Sequence, residues 1–464
     1  MTAPDPVGKN QLTRRLRERH VQLIAIGGTI GVGLFLGSAG AIQKAGPGLL
    51  VAYALVGVVI FFIMRALGEL LTYRPVAGAF SEYAEEFINP FTGYVTGWTY
   101  WLNWVATCMA ELTAIGIYMH YWFPQAPQWA TALCVLGLLY GSNLLAVRVF
   151  GELEFWFAVI KVVTIIFFIV AGLAIIIFHF GELGPTASFS NLWNDGGLFP
   201  FGILGLLLTM QIVTFSYTGV EVIAVTAGEA ENPLRTLPRA TNGVILRILL
   251  FYIGALAVVM ALMPWRQLSP TVSPFVIVFG KIGLPAAAHI INFVVITAAA
   301  SSCNTGLYST GRMLYATACR GHGPQRFAKL NSRHVPAAAI HFSAALMLVG
   351  VALNALVPES VFTWVTSVSV TGTFWAWLMI MGAHLRYRKA VAEGRLPAVD
   401  FKMPGAPWAN WLVIAFIVIV TGLLALDADT RVALYVTPVW FLFLWAVYSR
   451  TPAIRNPAIA TESA

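Results

Sequence analysis

Twelve stretches of membrane length follow one another along the chain, near 21–43, 49–72, 93–122, 127–147, 155–179, 198–227, 244–263, 285–311, 335–357, 361–385, 408–425 and 431–448. A helix needs about 20 apolar residues to cross the hydrocarbon layer, where no water can satisfy an exposed backbone amide. A chain built of such runs is an all-α polytopic membrane protein with twelve transmembrane helices. Composition agrees, because 58% of the 464 residues are hydrophobic and 10% charged, too apolar for a water-soluble core to hide. The formal charge of +8 is scattered between the apolar runs, so membrane lipid is an expected partner and nucleic acid is not. Cys108, Cys134, Cys303 and Cys319 show neither zinc-ligand nor disulfide spacing and read as packing residues. No metal site and no catalytic constellation emerges.

An even number of spans puts both termini on one side. Arg14-Arg-Leu-Arg-Glu-Arg19 precedes the first span, and no small-residue cleavage site follows it, so a retained first helix is expected with its leading segment cytoplasmic. The loop after the eighth span carries Arg312, Arg320, Arg326, Lys329 and Arg333, and the loop after the tenth carries Arg386, Arg388, Lys389, Arg395 and Lys402. Connections at 123–127, 180–197 and 358–360 carry no lysine or arginine.

Two spans are interrupted. Ile26-Gly-Gly-Thr-Ile-Gly-Val-Gly-Leu34 puts four glycines in the first, and Ser216-Tyr-Thr-Gly-Val-Glu221 breaks the sixth. Opened helices at membrane depth must face protein or an aqueous cavity, and paired openings are a mark of transporters. Freed amides around Gly27, Gly28, Gly31 and Gly33 suit a carboxylate, and carbonyls near Gly219 suit an ammonium. Small-residue helix packing is the competing reading of the first segment. Ser216 and Thr218 can instead cap local helix ends. Four crossings separate the two interruptions, as expected of two inverted five-helix repeats, 21–179 and 198–387. Outside this core are a cytoplasmic segment 1–20, the last two helices within 408–448 and a cytoplasmic tail 449–464.

Several ionisable groups lie deep. Glu111 is the only acidic or basic side chain, histidine aside, between Gly93 and Phe123. It needs a proton, a partner or a water path, and protonation would suit proton-linked transport; a static polar role is the alternative. Lys161 follows Glu152 and Glu154 and precedes an uncharged run, so it lies below the membrane face or snorkels to water. Glu221 follows the sixth-span break, where it can take a proton or stabilise a helix terminus. Glu229 and Glu231 are expected in cytoplasmic water. Arg65 and Glu69, four residues apart at the cytoplasmic end of the second span, share a helical face and are expected to form a salt bridge there. Trp98, Tyr100, Trp101 and Trp104 frame a side-chain pocket or pack against helices, and Ser367, Ser369, Thr371 and Thr373 offer hydroxyls that can equally satisfy one another.

Taken in order, Gly27-Gly-Thr-Ile-Gly-Val-Gly-Leu-Phe35, Ala45-Gly-Pro47, Met64-Arg-Ala-Leu-Gly-Glu69, Gly97-Trp-Thr-Tyr100, Phe150-Gly-Glu-Leu-Glu-Phe155, Phe215-Ser-Tyr-Thr-Gly-Val-Glu221 and Gly228-Glu-Ala-Glu-Asn-Pro233 cover nearly the whole chain. Asn292 to Asn304 and Gly311-Arg-Met-Leu314 continue the series. Together they resemble a bacterial amino-acid permease of the amino acid/polyamine/organocation (APC) superfamily, in its proline-specific and histidine permease branch. The resemblance implies an inverted 5+5 repeat core of the LeuT/APC type in the bacterial inner membrane, importing proline, histidine or another neutral amino acid. It also implies substrate contacts at Thr29, Ile30, Gly31, Gly33, Phe215, Ser216 and Thr218, and a side-chain pocket at Tyr100, Trp101 and Ser367. Proton coupling falls to Glu111, Lys161 and Glu221, and a cytoplasmic gate to Arg65 and Glu69. The family commonly has threonine at Val32, so a hydroxyl contact there is not implied. Lys161 matches a fifth-helix lysine that fills the sodium space of relatives, so no bound sodium and no cofactor are expected and a proton gradient is the driving force. An exchanger and a non-transporting amino-acid sensor are the competing functions; monomer or homo-oligomer stays open.

Overall fold

The computed structural model of the chain describes residues 30–76, 78–145, 147–229, 241–243, 248–269, 272–281, 286–451 and 454. Gly27, Gly28, Thr29, Glu231 and the leading basic segment lie outside the described residues. Among the described residues every regular element is helical.

A π-helical turn, Gly33–Gly37, leads into α1 (Ser38–Ala45). Gly46-Pro47-Gly48, with Gly46 at φ 57°, then turns the chain into α2 (Leu49–Tyr73). After the short α3 (Ala79–Phe87), Asn89 starts α4 (Pro90–Met119) by accepting the Thr92 amide at 2.9 Å, with proline in the first turn where its missing N–H costs nothing. These 30 residues make a rod about 45 Å long. Then come α5 (Gln128–Asn143), α6 (Val147–Phe178), α7 (Gly202–Ser216) and the single turn α8 (Val222–Val225). A π-helical stretch, Ile248–Gly254, runs into α9 (Ala255–Leu262), followed by α10 (Pro274–Gly280) and α11 (Ala287–Cys319). The chain closes with α12 (Ala337–Leu356), α13 (Val361–Ala392), α14 (Trp408–Leu423) and α15 (Arg431–Arg450).

Among the described residues six helical stretches are both long and apolar enough to cross a membrane: Gly33–Tyr73, Phe150–Phe178, Ala287–Cys319, Ala337–Leu356, Val361–Ala392 and Arg431–Arg450. Gly202–Ser216, Leu250–Leu262 and Trp408–Leu423 are apolar but shorter. The polar side chains run opposite to a soluble protein's pattern. α11 and α13 both pack on α4, and the three helices bury Asn103, Glu111, Ser301, Asn304, Ser369 and Thr373, while Val163, Ile203, Val439 and Trp445 are exposed on the perimeter. A bilayer rewards this arrangement, since polar groups inside the bundle can pair with one another, whereas lipid offers them no partner.

Hydrogen bonds between connections define two ends of the bundle. At one end Arg320 binds Glu85, Arg65 binds Asn242 and the Lys402 carbonyl, and Arg386 binds the Phe87 carbonyl. This end gathers most of the lysines and arginines among the described residues and is called the basic face below. At the other end Gln43 binds the Trp265 and Leu268 carbonyls, Lys44 binds Asp427, and Trp122 binds His289. Cys108 and Cys303 are buried between α4 and α11, whereas Cys134 and Cys319 are exposed, so packing describes two of the four cysteines.

Candidate functional site

α7 ends at Ser216 because Tyr217, Thr218 and Gly219 form a turn, with Gly219 at φ 98°, a conformation that suits glycine. The first span's break packs directly against this point. A Cβ on Gly33 would fall 2.6 Å from Ser216 Cα and 3.0 Å from its amide nitrogen, so only glycine allows the approach. Tyr53 and Tyr252 grip the same residue: the Tyr53 hydroxyl is 3.0 Å from Ser216 Oγ, and the Tyr252 hydroxyl donates to the Ser216 carbonyl at 3.0 Å. Ser216 Oγ also donates to the Ile212 carbonyl, the local use that serine commonly finds near a helix end. Phe215 meets Phe362 edge-on at 6.3 Å, and Thr218 Oγ1 lies 3.3 Å from Thr373 Oγ1 on α13. Of the expected substrate contacts, Gly33 and Ser216 thus touch, Gly31 lies against Glu111 and Ser302, and Thr29 lies outside the described residues.

Beside it lies a charge cluster. The Val32 amide donates to Glu111 Oε2 at 3.2 Å, so a carboxylate from α4 holds one amide of the broken segment. Ser302 on α11 hydrogen-bonds Glu111, and a Cβ on Gly31 would overlap its Oε1. Lys161 on α6 is fully buried within electrostatic reach of both Glu111 and Glu154. Glu154, also fully buried, accepts from Ser301 and from Asn304 Nδ2 at 3.4 Å, and Asn143 in turn donates to Asn304 at 2.8 Å. Glu154 was missed in the sequence, although a signal existed: it precedes Lys161 by two helical turns and so shares its face.

Glu221 is fully buried on neutral donors. Tyr100 OH lies 3.1 Å from Oε1, Trp377 Nε1 3.3 Å from Oε2, and the Gly219 amide 3.3 Å from Oε1. Tyr100 therefore sits beside the sixth-span break. Trp101 points elsewhere, donating to Ser343 at 2.9 Å and stacking on Phe342 of α12, and Ser367 returns its hydroxyl to the Thr363 carbonyl of its own helix at 2.6 Å. Trp98 reaches the His322 carbonyl toward the basic face.

Three expectations for the basic face need correction. Arg65 and Glu69 do not pair with each other. Arg65 stacks on Phe401, while Glu69, 2% exposed, takes His384 Nε2 at 3.0 Å, Arg388 Nε at 2.8 Å and the Met403 amide at 2.6 Å. These tertiary partners are better than a neighbour on the same helix, because they are held in place by packing. Arg312 is not in a loop, since α11 continues to Cys319. Nor is Glu229 in water: Arg312 and Glu229, 2% and 1% exposed, form a buried pair at 3.3 Å, with Tyr308 donating to the carboxylate and Phe150 stacked on Tyr308 at 4.2 Å. Both ion clusters lie at the basic face. Toward the opposite face a cavity of about 780 Å³ opens between α1, α7 and α13, with Gly37, Gln211, Ile212, Phe362 and Thr366 in its wall.

A glycine-mediated contact between the first and sixth spans, beside a cluster of buried charges, is the arrangement of a membrane solute carrier. The chain belongs to the amino acid permease family, whose model ("Amino acid permease") matches residues 20–451. It is 52% identical over 455 residues, 98% of each chain, to the protein named "Uncharacterized amino acid permease YtnA" of Bacillus subtilis (strain 168). The amino-acid permease AapA of the same organism is 47% identical over 448 residues, 96% of this chain and 97% of the relative. The D-serine/D-alanine/glycine transporter of Escherichia coli (strain K12) is 46% identical over 439 residues, 94% and 93%. The protein is a multi-pass membrane transporter of amino acids and not an enzyme.

Proposed function

We propose that the chain imports a small neutral amino acid together with a proton, by alternating access, across the bacterial cytoplasmic membrane. The observation that carries the proton is the cluster of Glu111, Lys161 and Glu154, which is buried and holds two carboxylates against one ammonium. With every group ionised it carries one excess negative charge, and an uncompensated buried ion costs several kcal/mol even after relaxation. One proton removes that charge. Its position on Glu111 matters, because Glu111 also holds the Val32 amide beside the break. Lys161 supplies a fixed cation in the same place, which supports transport without bound sodium.

In this reading the substrate carboxylate meets amides around Thr29 to Gly33 and its ammonium meets oxygens of Phe215, Ser216 and Thr218. The core is a pair of inverted five-helix repeats within twelve spans, and the basic face is cytoplasmic, as the positive-inside rule favours. Glu69 with its partners and Glu229 with Arg312 then act as the inner gate. A small side chain is favoured over proline or histidine because a relative covering nearly the whole chain is named for D-serine, D-alanine and glycine.

The test is uptake of labelled glycine, D-alanine, D-serine, proline and histidine into liposomes holding the purified protein, with and without an inward proton gradient and with and without sodium. Gradient-driven accumulation of the small solutes, indifferent to sodium, is expected. Uptake only into vesicles preloaded with amino acid would replace import by exchange. Binding without uptake by folded protein would make the chain a sensor and end the proposal.

A further inference from the structure

The hydroxyls of α13 that face the centre do not all serve their own helix. Ser369 Oγ donates to Asn103 Oδ1 on α4 at 2.7 Å, and Thr373 Oγ1 donates to the same oxygen at 3.2 Å. Thr373 in turn touches Thr218 Oγ1, in the broken segment, at 3.3 Å. Asn103 is 1% exposed, Thr373 is fully buried and Thr218 is 5% exposed, so water does not compete for these protons. Gly372 lets the two helices approach, since a Cβ there would fall 2.8 Å from Asn103 Cβ.

Each hydroxyl has one proton to give. The proton of Thr373 goes to Asn103 Oδ1, so Thr218 is the donor at the contact between the two threonines. Its own proton is thereby committed, and only lone pairs of Thr218 Oγ1 remain for a ligand. An ammonium, with three donors and no acceptor, fits that oxygen; a neutral hydroxyl can donate its one proton there too, but without the charge that strengthens the ammonium's bond.

We infer that Asn103 is a positioning residue for the substrate's amino group, acting through Thr373 on the direction of the Thr218 hydroxyl. The inference rests on the proposed contact between Thr218 and the ammonium. It makes Asn103, which never touches the solute, a determinant of the choice between an amino acid and the matching 2-hydroxy acid. In Asn103→Leu the Thr373 proton is released, the pair of threonines can reverse, and Thr218 becomes able to donate.

The experiment measures initial rates of labelled glycine uptake in liposomes, with unlabelled glycine and glycolate as competitors, for the wild type, Asn103→Leu, Thr218→Val and the double variant. Asn103→Leu is expected to raise KM about tenfold, the size of one hydrogen bond to a charged group, with the maximal rate changed by less than about threefold. The preference for glycine over glycolate should fall by a similar factor. In the Thr218→Val background Asn103→Leu should add no further rise in KM. An equal rise in both backgrounds, or an unchanged glycine-to-glycolate ratio in Asn103→Leu, would overturn the inference. If Thr218→Val itself leaves KM unaltered, the contact with the ammonium fails, and this inference with it. If Thr218→Val raises KM and Asn103→Leu does not, the positioning role alone fails. Thermal unfolding of each purified variant controls for folding, and Thr373→Val, which cuts the same chain, replaces Asn103→Leu if the latter is not recovered folded.

Discussion

Adding one methyl group at Gly33 should separate the two broken spans. Its Cβ would lie 2.6 Å from Ser216 Cα, 2.8 Å from Oγ and 3.0 Å from the amide nitrogen. Carbon atoms rest about 3.5–4.0 Å apart, so the spans must part by about 1 Å, and the obstacle is backbone that cannot swing aside. Overpacking of this kind costs about 1–3 kcal/mol, against a total stability of about 5–15 kcal/mol, so Gly33→Ala should still fold. A binding site assembled from both breaks has less tolerance: a 1 Å misplacement costs on the order of a hundredfold in a positioned reaction. Uptake should fall by about that factor while the melting midpoint drops by only a few degrees. Gly137→Ala is the control, because its Cβ meets nothing within 4 Å, and on α5 it should gain up to about 1 kcal/mol. Both variants would be reconstituted at matched protein density and compared by initial uptake rate and thermal unfolding. A folded Gly33→Ala transporting at more than about a third of the wild-type rate would refute the claim that the site needs this contact.

Glu111→Gln keeps an oxygen for the Val32 amide but takes no proton, so accumulation driven by a proton gradient should vanish while exchange of labelled for unlabelled amino acid persists; counterflow assays separate the two. Lys161→Met leaves Glu111 and Glu154 without their cation and should destabilise the protein by about 3–5 kcal/mol, and adding Glu154→Gln should restore at least half of the lost melting temperature. At the cavity end, burial pushes the Asp427 carboxyl up, but its bond to Lys44 at 2.7 Å, the Lys44 charge, the Asp429 amide and Arg431 together hold it below the ordinary value. The pair therefore stabilises above the unfolded carboxyl value of about 4 and loses its contribution as pH falls through the lower folded value. Half-exposed Lys44 limits the effect, and Lys44→Met should cost under about 1 kcal/mol near neutral pH, less in high salt, by thermal unfolding.

Much of the helical layout was legible because hydropathy is local. α2, α12 and α15 fall within a few residues of the apolar runs that announced them, and Gly219 marked the end of α7. What stayed hidden depends on partners distant in the chain. Arg312 looked like the first residue of a basic loop because an arginine normally ends an apolar run; Glu229, 83 residues away, makes its burial tolerable. Arg65 and Glu69 satisfied the spacing rule for a helical pair, yet His384 and Arg388 won the carboxylate. At the site, Glu111 and Lys161 stood out as isolated charges in apolar surroundings, whereas Glu154 was masked by lying beside Glu152 at a span end. The α13 hydroxyls were visible as a series, but only Asn103 on a different helix separates those that reach the break from those that close on their own backbone.

The bond from the Val32 amide to Glu111 ties the opened segment of the first span directly to a buried carboxylate. In the proposed mechanism a proton on that carboxylate and a solute on the adjoining segment meet at the same hydrogen bond, so each alters the free energy of binding the other. Thermodynamic reciprocity makes the two effects equal. However tightly the proton governs the amino acid in that mechanism, the amino acid governs the proton by the same factor.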